Sequence, residues 1–178
     1  MDDDFWKWSL DIYAREGVEA ALMPLQDELG LDINVILWCV WCGASGRGAP
    51  PESALRRAIE ISKSWTDRVT SPLRAARRAA KTAPPGADKG EADSMRLKIK
   101  EAELLSEKFV QKLLAGIPGV ERGAGTGDPQ ANARKNLVRY AALSGAARKP
   151  GFSAAPLLTA VEKIFSEIPY NDDQRKDD

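Results

Sequence analysis

Two cysteines three residues apart, Cys39 and Cys42, stand in the stretch ILWCVWCGASG, each directly after a tryptophan. That spacing supports dithiol–disulfide exchange when the first thiol sits at a helix N-terminus, where the peptide dipole stabilises the thiolate, and when a strand leads into it. Here the pair falls toward the C-terminal end of an apolar helix with no strand before it. The stretch predicts two small core residues, and thiol redox chemistry is the weaker alternative. A zinc site would need two more ligands, and the chain has no histidine and no further cysteine, so no metal is expected.

Other residue groups invite the same test. GAGTGDP, residues 123 to 129, has the glycine content of a phosphate loop but lacks the lysine and hydroxyl that should follow, and it does not follow a strand. Asp128 instead stands at a helix start, where its carboxylate would occupy the free N–H groups and repel a phosphate. Gln26, Asp27 and Asp32 flank two helices. A carboxylate pair can exchange protons, but helix-end charges and caps account for these more simply, and the commonest general base is absent. No catalytic residue, enzyme activity or cofactor is expected. The most specific surface is Arg74, Arg77, Arg78 and Lys81, spaced i, i+3, i+4 and i+7, which puts four cations on one helical face opposite Leu73, Ala76 and Ala80. Such a face fits an acidic protein surface, or RNA phosphates as the alternative, with no aromatics interleaved to stack bases.

Helical periodicity supplies the elements that would carry these groups. Phe5, Trp8 and Ile12 line one edge of a first helix and Trp6, Leu10 and Tyr13 the other, with Ser9 in the middle of the apolar arc, its hydroxyl placed to bond a carbonyl one turn back. Gly17 ends that helix, Gly30 ends a second containing Pro24, and Asp32 caps a third from Ile33 to about Ala44 that is apolar nearly all round. From Pro51 onward, Leu55, Ala58, Ile61 or Ser62, Trp65, Val69, Leu73, Ala76 and Ala80 keep helical spacing, with a bend near Thr70 and Ser71 before Pro72. After the TAPPGADKG turn, Met95, Ile99, Ala102, Leu105, Phe109 and Leu113 predict the inward face of a helix over about Glu91 to Ala115, antiparallel to its predecessor. A helix opened by Asp128 and Pro129 and closed near Gly145, and another around Ser153 to Glu167, complete the pattern.

The totals set limits. The chain has 178 residues, enough for one domain with a real core, and 26 basic against 26 acidic side chains. Residues 1–49 carry 3 basic and 9 acidic groups, a net −6, whereas residues 50–82 carry 8 basic and 3 acidic, a net +5. That polarity suits internal pairing or contact with a partner. No secretory signal is read at the N-terminus, and the longest apolar run is far below a bilayer span, so no membrane association is expected and a cytoplasmic setting with reduced thiols is.

The stretch FWKWSLDIYAREGVEAALMPLQDELGLDINVILWCVWCG resembles the opening of a proteobacterial family of unknown function. Its members carry Phe-Trp-x-x-Ser-Leu-x-x-Tyr, then Gly-Val, Leu-Gln-Asp, Gly-x-Asp-x-Asn and a tryptophan near the end of the third helix. The matching residues are Phe5, Trp6, Ser9, Leu10, Tyr13, Gly17, Val18, Leu25, Gln26, Asp27, Gly30, Asp32, Asn34 and Trp41. The long helices around Trp65 to Lys81 and KEAELLSEKFVQKLL are similar to the family's as well, so the resemblance spans roughly residues 4 to 115. It implies that the positions of Cys39 and Cys42 are ordinary apolar sites. It also implies that Ser9, Gln26, Asp27, Asp32 and Asn34 form a polar cluster between the first three helices, a candidate binding cleft.

The resulting expectation is an all-α, bacterial, cytoplasmic bundle of seven or eight helices over residues 1–168. It comprises a three-helix unit over 4–45, a long antiparallel hairpin with a proline kink over 51–115, C-terminal helices over 128–168, and a polar tail over 169–178. The expected role is a non-enzymatic adaptor or regulator that binds a protein through the arginine helix and the hairpin surface, with self-association as a variant of it. Whether the tryptophan-rich core takes a small molecule is left open by the sequence.

Overall fold

The computed structural model describes residues 4–123 and 125–168; the tail over 169–178 lies outside the described residues. Eight α-helices are present: Asp4–Tyr13 (α1), Val18–Asp27 (α2), Ile33–Ala44 (α3), Glu52–Trp65 (α4), Ser71–Ala79 (α5), Lys89–Ala115 (α6), Pro129–Ser144 (α7) and Ala155–Glu167 (α8). A π-helical turn, Thr66–Thr70, joins α4 to α5, so the eight segments make seven rods. No strand occurs among the described residues.

Helix α3 is the axis of the bundle. The Asp32 carboxylate accepts from the Asn34 N–H at 2.8 Å and starts it, and ten of its twelve residues are buried. An apolar surface this complete must be covered on every side. Helix α7 packs most extensively along it, α1, α2, α4 and α6 close its other sides, and α8 rests on α2 and α7. The partner running closest to α3 thus comes from the far end of the chain, and the first three helices share their core with it. Val35, Ile36, Trp38, Leu137 and Leu157 sit in that core fully covered, and burial of each aliphatic side chain contributes about 1.5–3 kcal/mol. Gly43 permits the closest approach. A Cβ there would lie 2.6 Å from the Ala133 backbone nitrogen and 2.7 Å from the Pro129 carbonyl oxygen.

The remaining helix ends follow local rules. Asp88 caps α6 and Asp128 caps α7, each through a carboxylate oxygen on the N–H three residues on, at 2.9 and 2.6 Å. The glycine loop after α6 packs backbone to backbone on the loop after α3: the N–H groups of Gly123 and Gly125 donate to the Gly46 carbonyl at 3.0 and 3.1 Å. A Cβ on Gly125 would sit 2.4 Å from the Gly48 nitrogen. The glycines of GAGTGDP serve this contact between loops.

Two expected faces are corrected. The inward line of the α4–α5 rod follows the expected row through Leu55, Ala58 and Ser62, then runs through Thr70 to Arg74 and Arg77, with Ala76 exposed and Leu73 and Ala80 only half-buried. The π turn is the reason. The Ser71 N–H bonds the Thr66 carbonyl five residues back, which accommodates the missing N–H of Pro72 and inserts one residue into the helix. One residue is about 100° of rotation, so every later position moves forward by one: Val69 gives way to Thr70, Leu73 to Arg74 and Ala76 to Arg77. Helix α6 answers with a polar face. It turns Ser106, Val110, Gln111 and Leu114 inward and leaves Met95, Leu105 and Leu113 exposed at 63, 68 and 40 %, whereas Phe109, 44 % exposed, still meets Trp65 across the hairpin with ring centroids 4.5 Å apart. The hairpin is antiparallel, as the order of its contacts shows. The Trp65 Nε1–H donates to Ser106 Oγ at 2.8 Å, Thr70 and Ser106 share a hydroxyl bond at 2.7 Å, and Arg77 reaches back to Glu103 at 2.6 Å.

Candidate functional site

A cleft of about 740 Å³ opens beside the N-terminus of α3. Helix α1 forms one wall through Trp6, Ser9, Leu10 and Tyr13, the π turn and α4 another through Thr66 and Lys63, and α6 the floor through Glu107 and Gln111, with Leu104 at the rim. Asp32 and Asn34 stand at the head of α3, and Tyr140 of α7 closes the back.

A continuous hydrogen-bonded array runs beneath this opening. The Ser9 hydroxyl shares its one proton between Gln111 Oε1 across on α6, at 2.6 Å, and the Trp6 carbonyl one turn back, at 3.0 Å. The Gln111 amide donates to Asn34 Oδ1 at 2.9 Å, and the Asn34 amide donates to Glu107. Arg74 bonds Glu107 and also reaches Glu103 at 3.2 Å, and Arg77 bonds the other Glu103 oxygen at 2.6 Å. A side branch leaves Asp32: one carboxylate oxygen caps α3, the other accepts from the Thr66 hydroxyl at 3.1 Å, and its N–H donates to the Tyr140 hydroxyl at 2.8 Å.

The electrostatics follow from this geometry. Burial pushes the Glu107 carboxyl up; the Asn34 hydrogen bond and Arg74 pull it down, Asp32 and Glu103 push it up again, and the net direction is upward. Burial and the nearby Asp32 charge hold the Tyr140 phenol protonated well above its usual range. Tyr13 is raised by burial and by Glu19. Removing one member of such an array leaves its partners buried and unpaired, at about 1–3 kcal/mol for a neutral group and more for a charge.

Of the five residues expected to form a polar cluster, Ser9, Gln26, Asp32 and Asn34 line the cleft. Asp27 does not; it is exposed and accepts from the Gln26 amide at 3.4 Å. Of the four expected cations, Arg74 and Arg77 are ion-paired to α6, so the face is not presented whole to a partner. Arg78 and Lys81 are exposed without an ion pair among the described residues. Cys39 and Cys42 are buried free thiols; burial pushes Cys42 up to about 12 and Cys39 up as well, leaving neither as a thiolate near neutrality. The residues that sequence reasoning missed are Glu103, Glu107 and Gln111. Their i, i+4, i+8 spacing puts three polar groups on one helical face and was a readable signal. Thr66 and Tyr140 carried none, because the π turn and α7 bring them in from distant sequence. Among the described residues, no serine or cysteine is hydrogen-bonded to a carboxylate and no three carboxylate or thiol groups gather to hold a metal. No helix among them is long and apolar enough to cross a membrane.

The fold and site define a class first: an all-α bundle whose central buried helix starts at a polar cleft. The chain belongs to the family described as "Protein of unknown function (DUF2390)", which matches residues 4–114. That span takes in α1 through α6, and so every cleft residue except those of α7. No curated protein and no solved structure matches the chain.

Proposed function

We propose that this protein is a non-enzymatic cytoplasmic adaptor or regulator whose partner contributes an acidic-flanked amphipathic helix, laid along the outer face of α6. The observation that carries this reading is the row Met95, Leu105 and Leu113, whose side chains are large and apolar yet 40–68 % exposed on one face of a 27-residue helix, bordered by Phe109, which packs on Trp65. Such a face matches the i, i+3, i+4 anchors of a helix-on-helix contact. Exposed Lys98 and Lys112 flank the row without a carboxylate partner among the described residues, which favours acidic residues on the incoming helix. The arginine face takes a lesser part, because Arg74 and Arg77 are spent inside the hairpin.

The test is affinity purification of the tagged chain, with nuclease, beside the variant Leu105→Glu with Leu113→Glu, followed by titration of the recovered protein at two salt concentrations. Loss of two apolar anchors at about 1.5 kcal/mol or more each predicts at least ~100-fold weaker binding in the variant. Affinity should also fall with added salt. Binding that the variant retains refutes the assignment to α6. A dimer in sedimentation that the same variant dissociates replaces the acidic helix by a second copy, and recovery of only nuclease-sensitive material favours RNA.

A further inference from the structure

The cleft beside α3 is independent of the α6 row and calls for a different occupant. Its volume, about 740 Å³, lies within the range of small-molecule sites. Its walls divide the work such a site needs. Trp6, Leu10 and Leu104 give an apolar and aromatic rim, with Leu10 and Leu104 about half exposed at 46 and 52 %. The floor is polar and fixed by the array from Ser9 to Arg77.

Charge narrows the class of ligand. The ionisable lining carries three carboxylates, Asp32, Asp67 and Glu107, against two cations, Lys63 and Arg74, a net −1. Adding Glu103 and Arg77, which share the array, leaves that balance unchanged. Both lining cations are already paired, Lys63 with Asp67 at 2.6 Å and Arg74 with Glu103 and Glu107, so an anion would have to displace a carboxylate. The head of α3 is no help to an anion either, because the Asp32 carboxylate occupies the Asn34 N–H and sets a negative charge there. One further group in the wall is unspent. The Tyr140 hydroxyl is buried, accepts from the Asp32 N–H, and its own proton has no acceptor among the described residues.

We infer that the cleft binds a small organic cation, an ammonium ion on an aromatic or alkyl body, with the charge beside Asp32 and Glu107 and the body against Trp6, Leu10 and Leu104. The ammonium cancels the surplus charge of the lining, and Trp6, which has Lys108 Nζ 6.0 Å from its ring centroid, gives the body an apolar surface. An oxygen on the same ligand can accept the Tyr140 proton.

Three probes of one shape and different charge decide the matter: tryptamine, indole-3-ethanol and indole-3-acetate, titrated into the full chain by calorimetry at neutral pH. Tryptamine should bind at least ~10-fold more tightly than the alcohol, and the acetate most weakly. Asp32→Asn and Glu107→Gln keep size and remove the charge, at the cost of one acceptor oxygen each; each should shrink the preference of tryptamine over the alcohol toward unity while affinity for the alcohol changes little. Equal affinities, a reversed order, a preference that survives both variants, or no binding of any probe would each overturn the inference. Circular dichroism of the two variants separates lost recognition from lost folding, and intact variants with wild-type preference remain a refutation.

Discussion

Replacing Gly43 by alanine tests the close contact between helices α3 and α7. The added Cβ would meet the Ala133 nitrogen at 2.6 Å, the Pro129 carbonyl oxygen at 2.7 Å and the Ala133 Cα at 2.9 Å, all backbone atoms of the first turn of α7. Ordinary contact begins near 3.4 Å, so α3 and α7 must separate by roughly 0.8 Å, and neither set of atoms can rotate away. Overpacking of this kind costs about 1–3 kcal/mol, and backbone against backbone belongs at the upper end. Alanine recovers about 1 kcal/mol of helix propensity over glycine. The net expectation is a loss of about 2 kcal/mol, which for a chain of this length lowers Tm by roughly 4–8 °C. Urea unfolding followed by tryptophan fluorescence reads the first quantity and a calorimetric scan the second. Gly116→Ala is the control, since its Cβ would meet nothing nearer than 3.6 Å, and it should stay within about 0.5 kcal/mol of the parent. A Gly43→Ala protein as stable as the parent would show that the two helices are not held at this distance, and the reasoning would fail.

The Glu107 carboxyl faces Asp32, Glu103 and Arg74 and has its folded pKa raised. A raised folded pKa means stability that is fully present below the unfolded value and lost as pH rises through the folded one, so the parent should lose ground to Glu107→Gln as pH increases above about 4.5 in paired urea titrations. The thiols of Cys39 and Cys42 and the phenols of Tyr13 and Tyr140 are all raised in the fold. By the same sign, stability should hold up to about pH 9 and decline from there toward 12, where Cys42 alone accounts for several kcal/mol; a flat profile over that window argues against their burial. Thiol reagents should modify neither cysteine at neutral pH until denaturant is added, and fast labelling of the folded chain would reopen redox chemistry. Asn136 is fully buried and donates to the carbonyls of Cys39 and Gly48, both at 3.0 Å. Asn136→Ala should cost about 1–3 kcal/mol in the same urea assay, and a neutral result would mean that water takes over both bonds.

The helices were legible where the cause is local. Asp32, Asp128 and Gly145 mark their helix ends in one glance at the sequence, and the all-round apolar pattern of Ile33 to Ala44 announces the central helix. What failed was phase. The row from Leu55 to Ala80 reads as one apolar stripe, because nothing in TDRVTSP states that the backbone will insert a π turn there. That error then carried over to α6, whose apolar row was assigned to the hairpin interface by the same logic. The cleft was half legible. Ser9, Asp32 and Asn34 were singled out by the resemblance, whereas Glu107 and Tyr140 reach them across 73 and 108 residues, a distance over which spacing carries no information. Gly43 was overlooked beside the two cysteines of its motif, although the glycine makes the structural contact there.

The π turn at Thr66–Thr70 makes the rod from Glu52 to Ala79 a sequence with two alternative phases. In the phase adopted, it shows α6 a hydroxyl and two guanidinium groups; shortened by one residue within the turn, it would show Val69, Leu73 and Ala76 instead. The polar floor of the cleft is therefore set by chain length as much as by composition. Deletion of Arg68 would remove no side chain that lines the cleft, yet would withdraw Arg74 from Glu107 and turn Val69, Leu73 and Ala76 toward the polar face of α6.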